Sequence, residues 1–233
     1  MKLIRLEMKK VALTPYLLAS ILIPMVTFAM INLLAYAPQI DPSILVTDPE
    51  MGTYKFLYIL SFIINIAGFS CLGTAMLGKI VMESYNDNYL YLTLSYPVAR
   101  KKILWAKIIF CEVFCGIGVF VGILLTNSLF FVSESIFSVV DDSLSFAAIV
   151  NQLPLMIVSI VLVTSISLIS LAIGWWRNSV ALAIVSAVVL CSIPSNLVTV
   201  GGVEVVLAIT AVLLLLSMMV ILLITKKVSR LEA

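Results

Sequence analysis

Apolar runs broken by short polar stretches organise this chain from end to end. The runs cover about 13–35, 56–78, 103–131, 147–173, 180–193 and 203–225. A helix needs roughly 20 apolar residues to cross a hydrocarbon core of about 30 Å. The pattern therefore predicts an all-α integral membrane protein, a single transmembrane domain over 1–233 with six spans. Between the runs, 1–12 places Leu3, Leu6 and Lys10 at helical spacing. That is a basic amphipathic helix, predicted to lie along the membrane interface.

Within the runs, breaks and small residues refine the picture. Pro24 is expected to kink the first span, and Pro38, Pro42 and Pro49 mark a loop after it that is not helical throughout. The second span carries Ser61, Asn65, Gly68, Ser70, Gly73 and Thr74, a load suited to close helix contact or to a wet pathway. The third run would extend about 43 Å as a helix, so it must tilt, kink or begin outside the lipid. On it Cys111, Cys115, Gly118 and Gly122 share one face, a docking surface for another helix. Residues 132–146 read as an acidic outer loop, and Gly174–Ser179 as a tight inner turn with interfacial tryptophans. The stretch from Pro194 to Gly202 is helix-breaking and uncharged, either a loop or a re-entrant piece in the outer leaflet.

Charge gives the fold an orientation. Only 11% of residues are charged, against roughly 25% in soluble domains, so lipid must serve as solvent for most of the surface. Of 14 basic residues, 13 fall on one side of a six-span layout, and Lys55 alone falls on the other with most of the acids. Retention of Lys and Arg on the inner side places both termini in the cytoplasm. Each basic cluster abuts a span, so a nucleic-acid surface is not indicated. The N-terminal run resembles a signal peptide up to Ala35-Tyr36-Ala37, but it is too long for an h-region of about 7–15 residues and is taken as a retained span.

Candidate chemistry is sparse. The chain has no histidine, and its cysteines, Cys71, Cys111, Cys115 and Cys191, lie in the apolar runs. This disfavours a disulfide framework, a zinc site and Ser-His catalysis, and there is no phosphate-binding glycine fingerprint. The chain is expected to be no enzyme and to bind no cofactor itself. Glu112 is the one acid well inside a run, Glu204 standing at the outer edge of the last. It is predicted to lie about 7–10 Å deep, within reach of water or Lys107, as a structural group or as one facing a substrate. An ion-coupled carrier built on Glu112 and a non-transporting scaffold or sensor are the rival classes.

The stretch between the second and third spans carries the most information. Val81, Met82, Tyr85, Tyr89 and Leu92 fall on a helical face, with Glu83, Asn86 and Asp87 turned elsewhere, and Pro97 ends the helix before Arg100-Lys101-Lys102. Glu83, then Pro97, Arg100 and Lys107 closely resemble the corresponding region of ATP-binding-cassette exporter permeases of the type-two class. The resemblance implies a permease subunit that pairs with a second copy or a paralogue, each seated on a separate ATPase subunit that binds ATP and magnesium. It makes 81–102 the cytoplasmic coupling segment, with Glu83, Ser84, Tyr85, Asn86, Asp87, Asn88 and Arg100 at the ATPase contact. The short connection between the last two spans looks like the compact permeases that export, or give immunity to, bacteriocins and lantibiotics. An amphipathic peptide in a bacterial cell membrane is the implied substrate, with Asn65, Glu112 and Ser167 as candidate pathway residues.

Overall fold

A chain whose solvent is lipid must satisfy its backbone hydrogen bonds internally, and helices do this segment by segment. The computed structural model describes residues 13–41, 53–83, 100–137 and 153–230, and within these every regular element is helical. The helices are α1 (Thr14–Ile40), α2 (Tyr54–Leu77, continued by a π-helical turn Gly78–Met82), α3 (Arg100–Phe137), α4 (Leu153–Arg177) and α5 (Val180–Arg230). They contain six stretches long and apolar enough to cross a membrane, the last two being Val180–Val198 and Glu204–Lys226 of α5. The protein is a multi-pass helical membrane protein.

The backbone of α5 is helical over 51 residues, yet α5 is not one rod. Val180 at its start packs against Gly78. Ile221 and Ile224 near its end belong to the same apolar cluster as Met76, Leu77 and Ile80. In a straight helix Val180 and Ile221 would stand about 61 Å apart. The chain therefore reverses between Val198 and Glu204, and the two stretches are antiparallel spans. Helix persists past Pro194, contrary to the sequence expectation of a break there. A proline removes one backbone donor, and Ser195 and Asn196 donate their side chains to the carbonyls of Cys191 and Ser192, at 2.7 Å each. These bonds fall on the turn next to the Leu190 carbonyl, whose backbone donor Pro194 removes, and do not replace that donor.

Three tiers of core run along the bundle. At one end Ile31, Ala35, Tyr54, Leu57 and Phe130 cluster. The middle is built on Phe62, Phe69, Val119, Leu162 and Ile166, and the other end on Met76, Ile80, Leu104, Ile108 and Leu171. Lys79, Lys101, Lys102, Arg177 and Lys226 fall at this last end by chain position, while Lys55, Glu134 and Glu204 fall at the opposite one. The charge asymmetry read from the sequence thus corresponds to a physical polarity of the bundle.

The helix α2 touches all four others, and small residues make that possible. A Cβ on Gly118 or Gly122 would stand 2.8 or 2.7 Å from the ring of Phe69. The ring lies against α3 only because both side chains are absent. Cys111 and Cys115, on the same stripe, are 1% exposed. The predicted docking face is therefore occupied by α2. The turn after α4 also follows expectation. Asn178 adopts φ 51°, in the left-handed region where Asn is tolerated after a helix, and Ser179 N–H donates to the Gly174 carbonyl at 3.1 Å. Trp176 is 84% exposed there, as an interfacial residue would be.

Three boundaries differ from the sequence pattern. Helix α1 continues through Pro38 to Ile40. Helix α3 extends to Phe137, so residues 132–137 are helix rather than loop; Glu134 is buried there against α2. The second span runs to Met82 through the π-helical turn, where Val81 is fully buried, so 81–82 belong to the span and not to the coupling segment. The N-terminal residues 1–12 and most of the coupling segment lie outside the described residues.

The Phe69 contact has a measurable signature. Gly122→Val is expected to destabilise by about 1–3 kcal/mol through overpacking, and much of that loss should disappear in a Phe69→Leu background. Unfolding of the two single variants and the double variant in bilayers checks this, with a coupling of about 0.5–3 kcal/mol expected.

Candidate functional site

The polar side chains inside the bundle divide into two groups. Most hydroxyls turn back on their own helix, as Thr74 does to the Ser70 carbonyl (2.8 Å) and Thr210 to the Val206 carbonyl (2.6 Å). These bonds satisfy the side chain locally and carry no long-range information. A few polar groups reach another helix, and these mark the candidate sites.

The deepest is the pair Glu112 and Ser167. The Ser167 hydroxyl donates to Glu112 Oε1 at 2.7 Å, joining α3 to α4. The Thr164 carbonyl stands 3.0 Å from the same hydroxyl. A hydroxyl has one proton, and a carboxylate is the stronger acceptor when ionised. Glu112 Oε2 is buried with no hydrogen-bond partner among the described residues. Glycine positions this contact too. A Cβ on Gly73 would lie 3.2 Å from Cys115 Sγ and 3.3 Å from Ser167 Cβ, so α2, α3 and α4 converge one turn along from the acid.

Glu112 also lines a groove between α3 and α4 of about 530 Å³, with Val113, Gly116, Ile117, Phe120, Ile160 and Thr164. Val113 and Ile117 are 54% and 61% exposed, so the groove opens sideways on the outer flank of the bundle. Depth follows from the partner. Ser167 lies nine residues before the exposed Trp176 on α4, about 13 Å along the axis. Glu112 lies at the level of Ser167, which is its hydrogen-bond partner. Lys107 is 7% exposed in the basic-end tier.

Asn65 belongs elsewhere. It is fully buried, donates Nδ2 to the Ser61 carbonyl at 2.9 Å, and its Oδ1 has no partner among the described residues. That oxygen stands 3.3 Å from the Cβ position of Gly122, which is ten residues, about 15 Å, from Glu112 on α3. The structure thus joins Glu112 with Ser167 and separates Asn65 from both. Asn65 instead continues a polar seam between α2 and α3. Ser61 donates to Asn127 Oδ1 at 3.2 Å, and the Tyr54 hydroxyl donates to Glu134 Oε1 at 3.0 Å. The Tyr58 hydroxyl, also buried, has no partner among the described residues. Sequence reading missed Glu134 as a buried acid because it assigned 132–146 to a loop. The signal was available in the i, i+4, i+7, i+11 spacing of Tyr54, Tyr58, Ser61 and Asn65, one face of a helix.

Of the proposed ATPase-contact residues, Glu83 is exposed at the end of the π-helical turn, and Arg100 opens α3. Ser84, Tyr85, Asn86, Asp87 and Asn88 lie outside the described residues.

No protein-family model matches the chain, and no solved structure matches it. It is similar to a protein of Bacillus subtilis (strain 168) described as "Uncharacterized protein YcbO", 27% identical over 200 residues, with 84% of each chain covered. The likeness spans most of both chains, and that protein's printed name states no activity.

The Glu112–Ser167 bond predicts a pairwise effect. Ser167→Ala leaves a buried acceptor without its donor and is expected to cost about 1–3 kcal/mol. The loss should be smaller in a Glu112→Gln background, where the remaining oxygen belongs to a neutral amide. Unfolding measurements on the four chains in bilayers check this.

Proposed function

We propose that this protein is the membrane-spanning permease subunit of an ATP-binding-cassette exporter, moving an amphipathic substrate, best matched by an antimicrobial or toxin-like peptide. The observation that carries the proposal is the link between the proposed motor contact and the core, joined to the sequence resemblance around Glu83, Pro97, Arg100 and Lys107. Glu83 projects from the end of the second span. One turn before it, Gly78 is packed under Val180, and Ile80 and Val81 are buried with Leu104 and Ile108 of α3. A push on the coupling segment therefore meets two spans that share one tightly packed tier, rather than a loose loop. In this reading the basic end faces the cytoplasm of a bacterial cell. A separate ATPase binds ATP and magnesium, and two permease chains pair across the pathway.

The mechanism follows from packing. Closure of two ATPase subunits on ATP would bring the coupling segments together. Because α2 and α3 meet along glycine, cysteine, aromatic rings and the polar seam, they can move as one unit against α1 and α5. Transport would then require no ionisable group within the membrane to change its charge. That separates this proposal from an ion-coupled carrier, which would depend on Glu112.

Two measurements test it. Single cysteines placed at Lys79 and at Lys55 should be labelled by impermeant thiol reagents from opposite faces of the membrane, Lys79→Cys from the cytoplasmic face. Tagged protein purified in mild detergent from its native membrane should bring down a soluble ATPase near one-to-one. Glu83→Ala with Tyr85→Asp should reduce recovery about tenfold, equivalent to about 1.4 kcal/mol. Absence of any ATPase, under conditions that keep other transporters intact, overturns the proposal.

A further inference from the structure

The lateral groove beside Glu112 combines two features that rarely occur together in a membrane span. Its walls are apolar, made by Val113, Ile117, Phe120 and Ile160. Glu112 is among its lining residues; one carboxyl oxygen is bonded to Ser167 and the other is buried with no hydrogen-bond partner among the described residues, so a donor reaches it once the side chains over it part. A buried acceptor without a donor costs about 1–3 kcal/mol, more when charged, so a ligand that supplies the donor recovers that amount on binding. Its volume, about 530 Å³, falls within the range of small-molecule sites. Its open side faces the exposed flank of α3, so a ligand can enter from the lipid without crossing the bundle.

We infer that this groove is a binding site for a primary ammonium carried on an apolar body, a cationic amphiphile dissolved in the membrane. A donor is required, because the unmatched atom is an acceptor; a quaternary ammonium offers none, and a neutral hydroxyl offers one without the charge that pairs with a carboxylate. The charge requirement is also met: an alkylammonium with a carboxylate, or an amine with a carboxylic acid, brings the same single proton to the site. Other occupants fit less well. A second copy of this chain offers no cation at that level, since the basic residues of its described spans lie toward the ends, the deepest being Lys107, itself buried. An ordinary phospholipid can fill the groove with a chain, but its headgroup amine stays at the interface, about 13 Å from the acid. A metal ion would find a single carboxylate.

This inference deepens the permease proposal by naming the chemistry of the substrate's head, and its meaning for transport rests on that proposal. Binding itself does not, so it is tested on the full-length chain alone, without an ATPase. The protein is placed in neutral phosphatidylcholine nanodiscs and titrated with radiolabelled dodecylamine, with empty discs as the background. One saturable site per chain is expected. Glu112→Gln should weaken it at least tenfold while leaving the weaker binding of dodecane, which has no donor, unchanged. Ile117→Trp, which adds bulk at the exposed rim and leaves the carboxyl untouched, should abolish binding of both. Thermal unfolding of each variant confirms that it is folded. Equal affinity in Glu112→Gln, unchanged binding in Ile117→Trp, or no saturable binding in the wild-type chain would overturn the inference. So would dimers that Ile117→Trp converts to monomers in the absence of amine binding, since the groove would then be an interface between copies. ATPase recovery on the same variants separates the two ideas. A chain that binds the amine but no ATPase defeats the permease reading alone, and a chain that recovers ATPase but binds no amine defeats the site alone.

Discussion

The ring of Phe69 lies against α3 where Gly118 and Gly122 leave room for it, and the arrangement of the spans depends on that contact. In lipid there is no hydrophobic force to press helices together, because the tails are as apolar as leucine. Association must come from shape, from close van der Waals approach and from a few hydrogen bonds. One aromatic side chain on α2 and two missing side chains on α3 provide such a fit, with a hypothetical Cβ under 3 Å from the ring at both glycines. Gly73 repeats the device where α2 meets Cys115 and Ser167, and Gly174 repeats it where α4 turns back against Ala183. Once α2 is fixed to α3, α4 closes on both and the antiparallel arms of α5 cover the remaining side.

The polar groups make sense only on that frame. Where helices pass at ordinary distance, hydroxyls bond to their own carbonyls. At a few points polar side chains reach across instead: Ser61 to Asn127, Ser133 to Asn32 at 2.9 Å, and Ser167 to Glu112, the last beside Gly73. Each such bond is worth on the order of 1 kcal/mol in a membrane, too little to determine the fold but enough to set the register of one helix against another. The Glu112 site follows from this register, since the same approach that delivers the Ser167 hydroxyl to one oxygen leaves the other facing apolar walls.

Much of the architecture was legible from the chain. Six spans, the unequal distribution of charge, the small-residue face of α3 and the tight turn at Asn178 all follow from composition and spacing, because lipid imposes those rules residue by residue. The misjudged features depend on neighbours. Pro194 and Pro38 looked like helix ends by local propensity, but both helices continue through them. Glu134 looked like a loop acid, yet a tyrosine eighty positions earlier makes it an interior one. The pairing of Glu112 with Ser167 was not legible, because the partner stands on α4, 55 positions further along the chain. The π-helical turn at Gly78–Met82 left no mark in the hydrophobic pattern, since a wider turn changes hydrogen bonding without changing which residues are apolar.

The length of α3 has a mechanical side. Its 38 residues make a shaft of about 57 Å, nearly twice the hydrocarbon thickness. Its tightest lateral support, the Phe69 seat at Gly118–Gly122, lies near the middle. That geometry is a fulcrum with two long arms. Rocking the shaft, with α2 seated on it, by only 5° about this level swings the Arg100 end by about 2.6 Å and the Phe137 end the opposite way by about 2.2 Å. A small impulse at one face of the membrane would thus become an opposed displacement at the other, with little slip at the pivot and no hinge needed within the helix.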